Sequence, residues 1–236
     1  MLRAVAATGG ETEGDAMSWI MSWLTERKIP VGDTARTLFD WLQTNGAVVF
    51  DTISDVMDRI IDSILWAFQT PPPLAVILLF TALTWALQRR WQTALLVLLG
   101  FLFIVNQGYW EETTESLTLV LSACIVCMAI GVPVGIAAAH RPRLYAWMRP
   151  VLDLMQTLPT FVYLIPAIVF FGIGMTPGLI ATVIFVLPAP IRLTHLGISS
   201  TPTALIEAAR AFGATNRQLL WKVELPYAVP QIMAGL

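Results

Sequence analysis

Charged side chains are scarce in this chain. Asp, Glu, Lys and Arg make up 13% of its 236 residues, 56% are hydrophobic, and the mean hydropathy is +0.70. That balance excludes an ordinary soluble domain and points to a protein that crosses a membrane several times. Lysine is nearly absent. Lys28 and Lys222 follow Arg27 and Trp221, so neither completes the G-K-[ST] of a phosphate-binding loop. The chain is therefore not its own ATPase by that route. Its two histidines, His140 and His195, lie at the edges of apolar stretches without a paired-ligand pattern. They read as solvated edge residues, and no metal site is expected. No Ser/His/Asp order or G-x-S-x-G elbow is present, so no enzyme is expected. No cofactor or nucleic-acid partner is expected either. Cys124 and Cys127 form a C-x-x-C, a spacing used in redox and zinc sites. Here it sits inside an apolar stretch with no further ligands, which makes it packing. Ionisable groups inside the apolar stretches are almost missing, which disfavours a proton-coupled transporter. Asp153 is the exception. It reads as a carboxylate at a helix amino terminus or as a group near a translocation path.

What is present is long, apolar and helical. Residues 1–16 are rich in Gly, Thr, Glu and Ala and lack the apolar core of a leader, so no cleavable signal is expected. Asp33 can cap a helix through Leu42 that Asn45-Gly46 closes. Residues 48–68 then repeat apolar side chains at three- and four-residue steps, with Asp51, Asp55, Asp58, Arg59 and Asp62 opposite. An acidic polar face does not favour anionic lipid. The helix is expected in the outer interface or packed on spanning helices. Pro71-Pro72-Pro73 separates it from five apolar stretches, 74–87, 91–105, 117–139, 151–172 and 178–193. The first two are short for a span of about 20 residues. All nine basic residues beyond residue 70 fall on one side of a five-span chain: Arg89, Arg90, Arg141, Arg143, Arg149, Arg192, Arg210, Arg217 and Lys222. The positive-inside rule makes that side cytoplasmic. The reading divides the chain into an extracytoplasmic region, 1–70, with amphipathic helices, and a transmembrane domain, 71–236. The second region holds a cytoplasmic loop at 197–230.

That loop is the polar interruption of an apolar chain. Thr201 can cap a helix with Pro202 at its first position, and Gly213 can end it in the left-handed conformation. Thr215 and Gln218 have the spacing of a capping box that starts a second helix, which Pro226 and Pro230 disturb or end. Read from the residues alone, this is an ordinary helical loop or a docking element. Glu207-Ala208-Ala209, Gly213 and Val223-x-Leu225-Pro226 resemble the EAA loop of permeases of binding-protein-dependent ABC importers, with Val223 at a position where the family has Ile. The resemblance implies that Glu207, Ala208, Ala209, Arg210, Gly213, Leu225 and Pro226 couple the permease to an ATP-hydrolysing subunit.

A second resemblance covers about 151–236. Met155-Gln156-Thr157-Leu158-Pro159-Thr160-Phe161, Phe171-Gly172-Ile173-Gly174 and Leu187-Pro188-Ala189-Pro190-Ile191-Arg192 are similar to the glycine betaine/proline betaine permease subunits. The prolines each remove a helical N–H and invite kinks. Gln156, Thr157 and Thr160 can line a pathway or bond between helices. Phe161 and Tyr163 can meet a quaternary ammonium through their ring faces or serve as lipid and core contacts. The family implies an all-α, multi-spanning inner-membrane permease with a separate ABC ATPase that binds the ATP. It further implies an extracytoplasmic substrate-binding protein and a second permease copy in the bilayer. The other readings are a membrane scaffold or channel-like protein without an ATPase, and a non-functional truncated permease. The last arises because the family continues with further spans where this chain stops, at Ala234-Gly235-Leu236.

Overall fold

A computed structural model describes residues 31–235, and every regular element in them is helical. The chain divides into two compact units, 1–48 and 49–236. Helix α1, Val31–Gln69, begins in the first and continues into the second. The expected break at Asn45-Gly46 does not occur. The Asn45 amide donates within the helix to the Trp41 carbonyl (2.9 Å), and Gly46 stays helical, so neither residue ends it.

The second unit is built around α4, Trp110–His140, whose 31 residues extend about 46 Å. Against it lie α7, Met175–Val186, and α8, Pro188–Ser199. Met175–Ser199 and α4 are each long and apolar enough to cross a membrane. Small residues set their spacing. A Cβ at Gly131 would lie 2.8 Å from the Pro190 ring, and one at Gly135 would lie 2.5 Å from Thr194 Cβ and 2.8 Å from the Ile191 carbonyl oxygen. Only residues without a side chain allow this approach, the usual device of helix contacts in a bilayer.

The apolar stretches 74–87 and 91–105 form α2, Pro73–Gln88, and α3, Trp91–Asn106, paired with each other. Sixteen residues reach about 24 Å, less than the hydrocarbon thickness. An aromatic chain ties them to their neighbours, with Phe80 stacked on Phe101 at 5.5 Å and Phe68 at 5.9 Å from Phe80. α2 is bent by 96° from the segment Thr44–Gln69.

From residue 49 onward, α1 packs on the spanning helices, the second of its two expected placements. Ile61 is buried with Ala123 of α4 and Leu179 of α7. Gln69 donates to the Thr114 hydroxyl (3.1 Å), and the Thr176 hydroxyl donates to the Asp58 carboxylate. Phe50 stacks on Phe170 with ring centroids 4.6 Å apart.

The stretch 151–172 is not one straight span. It is shared by α5, Pro142–Thr157, and α6, Phe161–Phe171, which meet at 92°. Leu158 is extended (φ −79°, ψ 137°), as a residue preceding proline prefers, and Pro159 has no N–H to continue the ladder.

A projecting helical loop and a bent apolar face

After α8 the chain leaves the bundle. Thr201 is buried, and its hydroxyl finds no partner among the described residues. It is not the expected cap: Pro202 holds that position, and α9, Thr203–Ala211, begins one residue later than expected. None of the nine residues of α9 is buried. Glu207, Ala208 and Arg210 are exposed, Ala209 is half-buried, and Phe212 at its end is 92% exposed. Among the described residues neither Glu207 nor Arg210 forms an ion pair.

Gly213 ends α9 with φ +76°, a conformation that costs a residue with a Cβ roughly 1–2 kcal/mol. Its N–H donates to the Arg210 carbonyl (2.9 Å), and that of Ala214 donates to the Ala209 carbonyl (3.0 Å). This is a Schellman turn, which satisfies two carbonyls at the helix end. The capping box also forms: the Thr215 N–H donates to Gln218 Oε1 (2.9 Å), and the Gln218 N–H donates to Thr215 Oγ1 (3.3 Å).

α10, Asn216–Leu219, runs into a wide π turn, Leu220–Glu224, and then into α11, Leu225–Met233. The Leu225 N–H reaches back five residues to the Leu220 carbonyl. The wide turn leads directly into Pro226, which has no N–H for the Lys222 carbonyl and whose ring would crowd it in an ordinary helix. Pro226 and Pro230 thus disturb the helix without ending it. α11 packs on α8, with Ala228 fully buried beside Ile198 and Ile232, and Leu225 lies in the same cluster. Pro226 stays exposed. α9 therefore hangs between two segments that are held in the bundle. An open depression of about 450 Å³ lies in the arm after it, lined by Thr215, Arg217, Gln218, Trp221 and Lys222.

The polar residues of the fourth stretch gather at the bend between α5 and α6. Gln156, Thr157, Thr160 and Phe161 are exposed, and Tyr163 is half-buried. Thr157 donates to the Leu154 carbonyl of its own helix (3.1 Å). The Tyr163 hydroxyl donates to the Met155 carbonyl (3.1 Å), satisfying the carboxyl-terminal end of α5. Asp153 is not at a helix amino terminus, because α5 starts eleven residues earlier at Pro142. Its carboxylate accepts from Arg192 of α8 (2.5 Å). Asp153 is half exposed, so the pair is worth at most about 1 kcal/mol, yet it joins the bent helix to the central one. Between the same two helices Tyr145 and His195 stack with ring centroids 3.7 Å apart. Arg192 was legible only as a positive charge, and nothing local to either residue marks its partner.

Apolar helices at spanning length, with one exposed helical loop between buried anchors, define an integral membrane protein built to engage something outside its own bundle. Residues 131–236 match a model of the family described as binding-protein-dependent transport system inner membrane component. The chain is 42% identical over 209 residues to the glycine betaine transport system permease protein OpuAB of Bacillus subtilis, covering 89% of this chain and 74% of that protein. It is 43% identical over 211 residues to the glycine betaine/carnitine transport permease protein GbuB of Listeria monocytogenes, at 88% and 74% coverage. Against the glycine betaine/proline betaine transport system permease protein ProW of Escherichia coli it is 40% identical over 208 residues, at 88% and 58%. The chain belongs to the family of inner-membrane permease components of binding-protein-dependent transport systems. It is a transport subunit rather than an enzyme, and membership implies ATPase and substrate-binding partners.

Proposed function

We propose that this chain is the permease subunit through which glycine betaine or a closely related osmoprotectant enters the cell. The observation that carries the coupling part is α9, a nine-residue helix with no buried residue, held at both ends by segments packed in the bundle. A helix so placed transmits force as a rigid lever. Ala208, Ala209 and Ala211 permit close docking on the ATPase subunit, and the exposed Phe212 supplies an apolar anchor. Glu207 and Arg210 are free for charges on the partner. Leu225 and Pro226 shape the returning arm. In this reading the loop faces the cytoplasm and the amino-terminal end lies outside, which is supported by the nine basic residues falling on the loop's side of a five-crossing chain. ATP is bound by the ATPase, and this chain needs no cofactor of its own.

The names of the similar permeases support the substrate class. A second copy of the chain completes the path by covering the exposed face that carries Gln156, Thr157, Thr160 and Phe161, with Tyr163 holding the bend. The test is uptake of radiolabelled glycine betaine into proteoliposomes containing this chain, its ATPase and its binding protein. ATP-dependent accumulation is expected. No uptake with all three components present overturns the reading. Labelling of single cysteines at Asp40 from outside and at Ala214 from inside is the expected orientation, and the reverse pattern refutes it.

A further inference from the structure

We infer that His140 and Glu224 form a proton-sharing clasp that sets the position of the coupling loop against the bundle; this rests on the functional reading above. Glu224 ends the π turn and is only 6% exposed. A buried carboxylate is costly unless it is paired and hydrogen-bonded. Its partner is His140, the last residue of α4 and 84 positions away, with Nε2 2.9 Å from Glu224 Oε2. The other ring nitrogen, Nδ1, lies 2.9 Å from the Ile136 carbonyl oxygen. A carbonyl only accepts, so Nδ1 carries hydrogen. Nε2 then faces a carboxylate oxygen, and a contact of that length needs one more hydrogen between the two. Either the imidazolium N–H donates to the carboxylate, or a carboxyl O–H donates to the neutral ring. In both forms the pair holds a shared proton.

The placement gives the pair its consequence. Nothing in α9 is buried, so its position depends on its two attachments. One is the buried Thr201 after α8. The other is the arm through α10 and the π turn, whose buried side chains are Leu219 and Glu224. Buried Leu219, and Leu220 and Leu225 packed on the Ile198, Ala228 and Ile232 cluster, make non-directional apolar contacts that tolerate sliding. The His140–Glu224 bond is directional and fixes the arm to α4, which the glycine seam joins to α8. Docking forces on α9 therefore reach the central helices from both sides of the loop. His140 and Glu224 therefore act as positioning residues, through the loop they hold.

The experiment measures glycine betaine moved per ATP hydrolysed by the complete complex in proteoliposomes, with ATPase retention in mild detergent as the control for assembly. His140→Ala and Glu224→Ala are each expected to lower that ratio about tenfold while the ATPase stays bound. The double variant is expected to fall about tenfold rather than hundredfold, because both substitutions remove the same contact. Glu224→Gln keeps the volume and can donate to a neutral ring, so it stays within about twofold of wild type. Multiplying losses in the double variant, an unchanged ratio in either alanine variant, or a Gln variant as poor as the Ala variant each overturn the clasp. A wild-type complex without ATP-dependent uptake overturns the functional reading, and the clasp with it.

Discussion

The seam between α4 and α8 and the loop around α9 follow opposite rules. In the seam, Gly131 and Gly135 admit Pro190, Ile191 and Thr194 so closely that no Cβ would fit. In the loop, nine consecutive helical residues bury nothing, and Phe212 stands almost fully exposed. The first region spends its small residues on internal contact, whereas the second presents alanines outward. The contrast teaches that small side chains have no fixed meaning in a membrane protein. Beside another helix of the same chain they make a rigid joint, and beside empty space they leave room for a partner's surface. The proposed coupling role needs such a rigid joint next to the loop, because a lever attached to a yielding body would move alone.

Substitutions can break this contrast from either side. Gly135→Val should have the largest effect, because one neighbour of the added Cβ is the Ile191 carbonyl, which cannot rotate away. Overpacking there should cost about 3 kcal/mol, read as a large fall in the melting temperature of the detergent-purified protein. Unchanged melting would mean that the seam is loose. Gly213→Pro strikes the lever. Proline cannot adopt φ +76° and removes the N–H that donates to Arg210. Uptake should fall at least about tenfold with normal membrane insertion, and normal uptake would separate the turn from coupling. Glu207→Lys reverses one exposed charge of the proposed docking face. It should lower uptake by about fivefold with no change in melting; a melting shift without an uptake defect would place Glu207 in the fold instead. Tyr163→Phe deletes only the hydroxyl bonded to Met155. Loss of one such bond, about 1 kcal/mol, should alter uptake by no more than about fivefold, and a complete loss would show that the hydroxyl does more than brace the bend.

The turn at Gly213 and the capping box at Thr215 and Gln218 were readable in advance because each is decided within a few residues. Thr201 misled for a related reason. Its type suits a cap, but the fold buries it and moves the helix start by one residue. Asn45-Gly46 looked like a stop signal, yet the Asn45 side chain bonds inside the helix and α1 continues. At Thr201 the local signal yielded to packing, and at Asn45 it yielded to a bond inside the helix itself. The bend at Leu158-Pro159 lies between these cases: proline announced a kink, but its 92° angle depends on Tyr163 and on the helices beside it.

By itself the sequence determined the class of the protein. Apolar length, scarce charge, basic residues on one side and turn chemistry act over a few residues or through bulk solvent, so they can be read along the chain. Only the tertiary structure decided that Asp153 meets Arg192, that His140 meets Glu224, and that α1 packs on α4 and α7. Those pairings join residues tens of positions apart. Their strength comes from directional contacts and burial that exist only after the helices have come together.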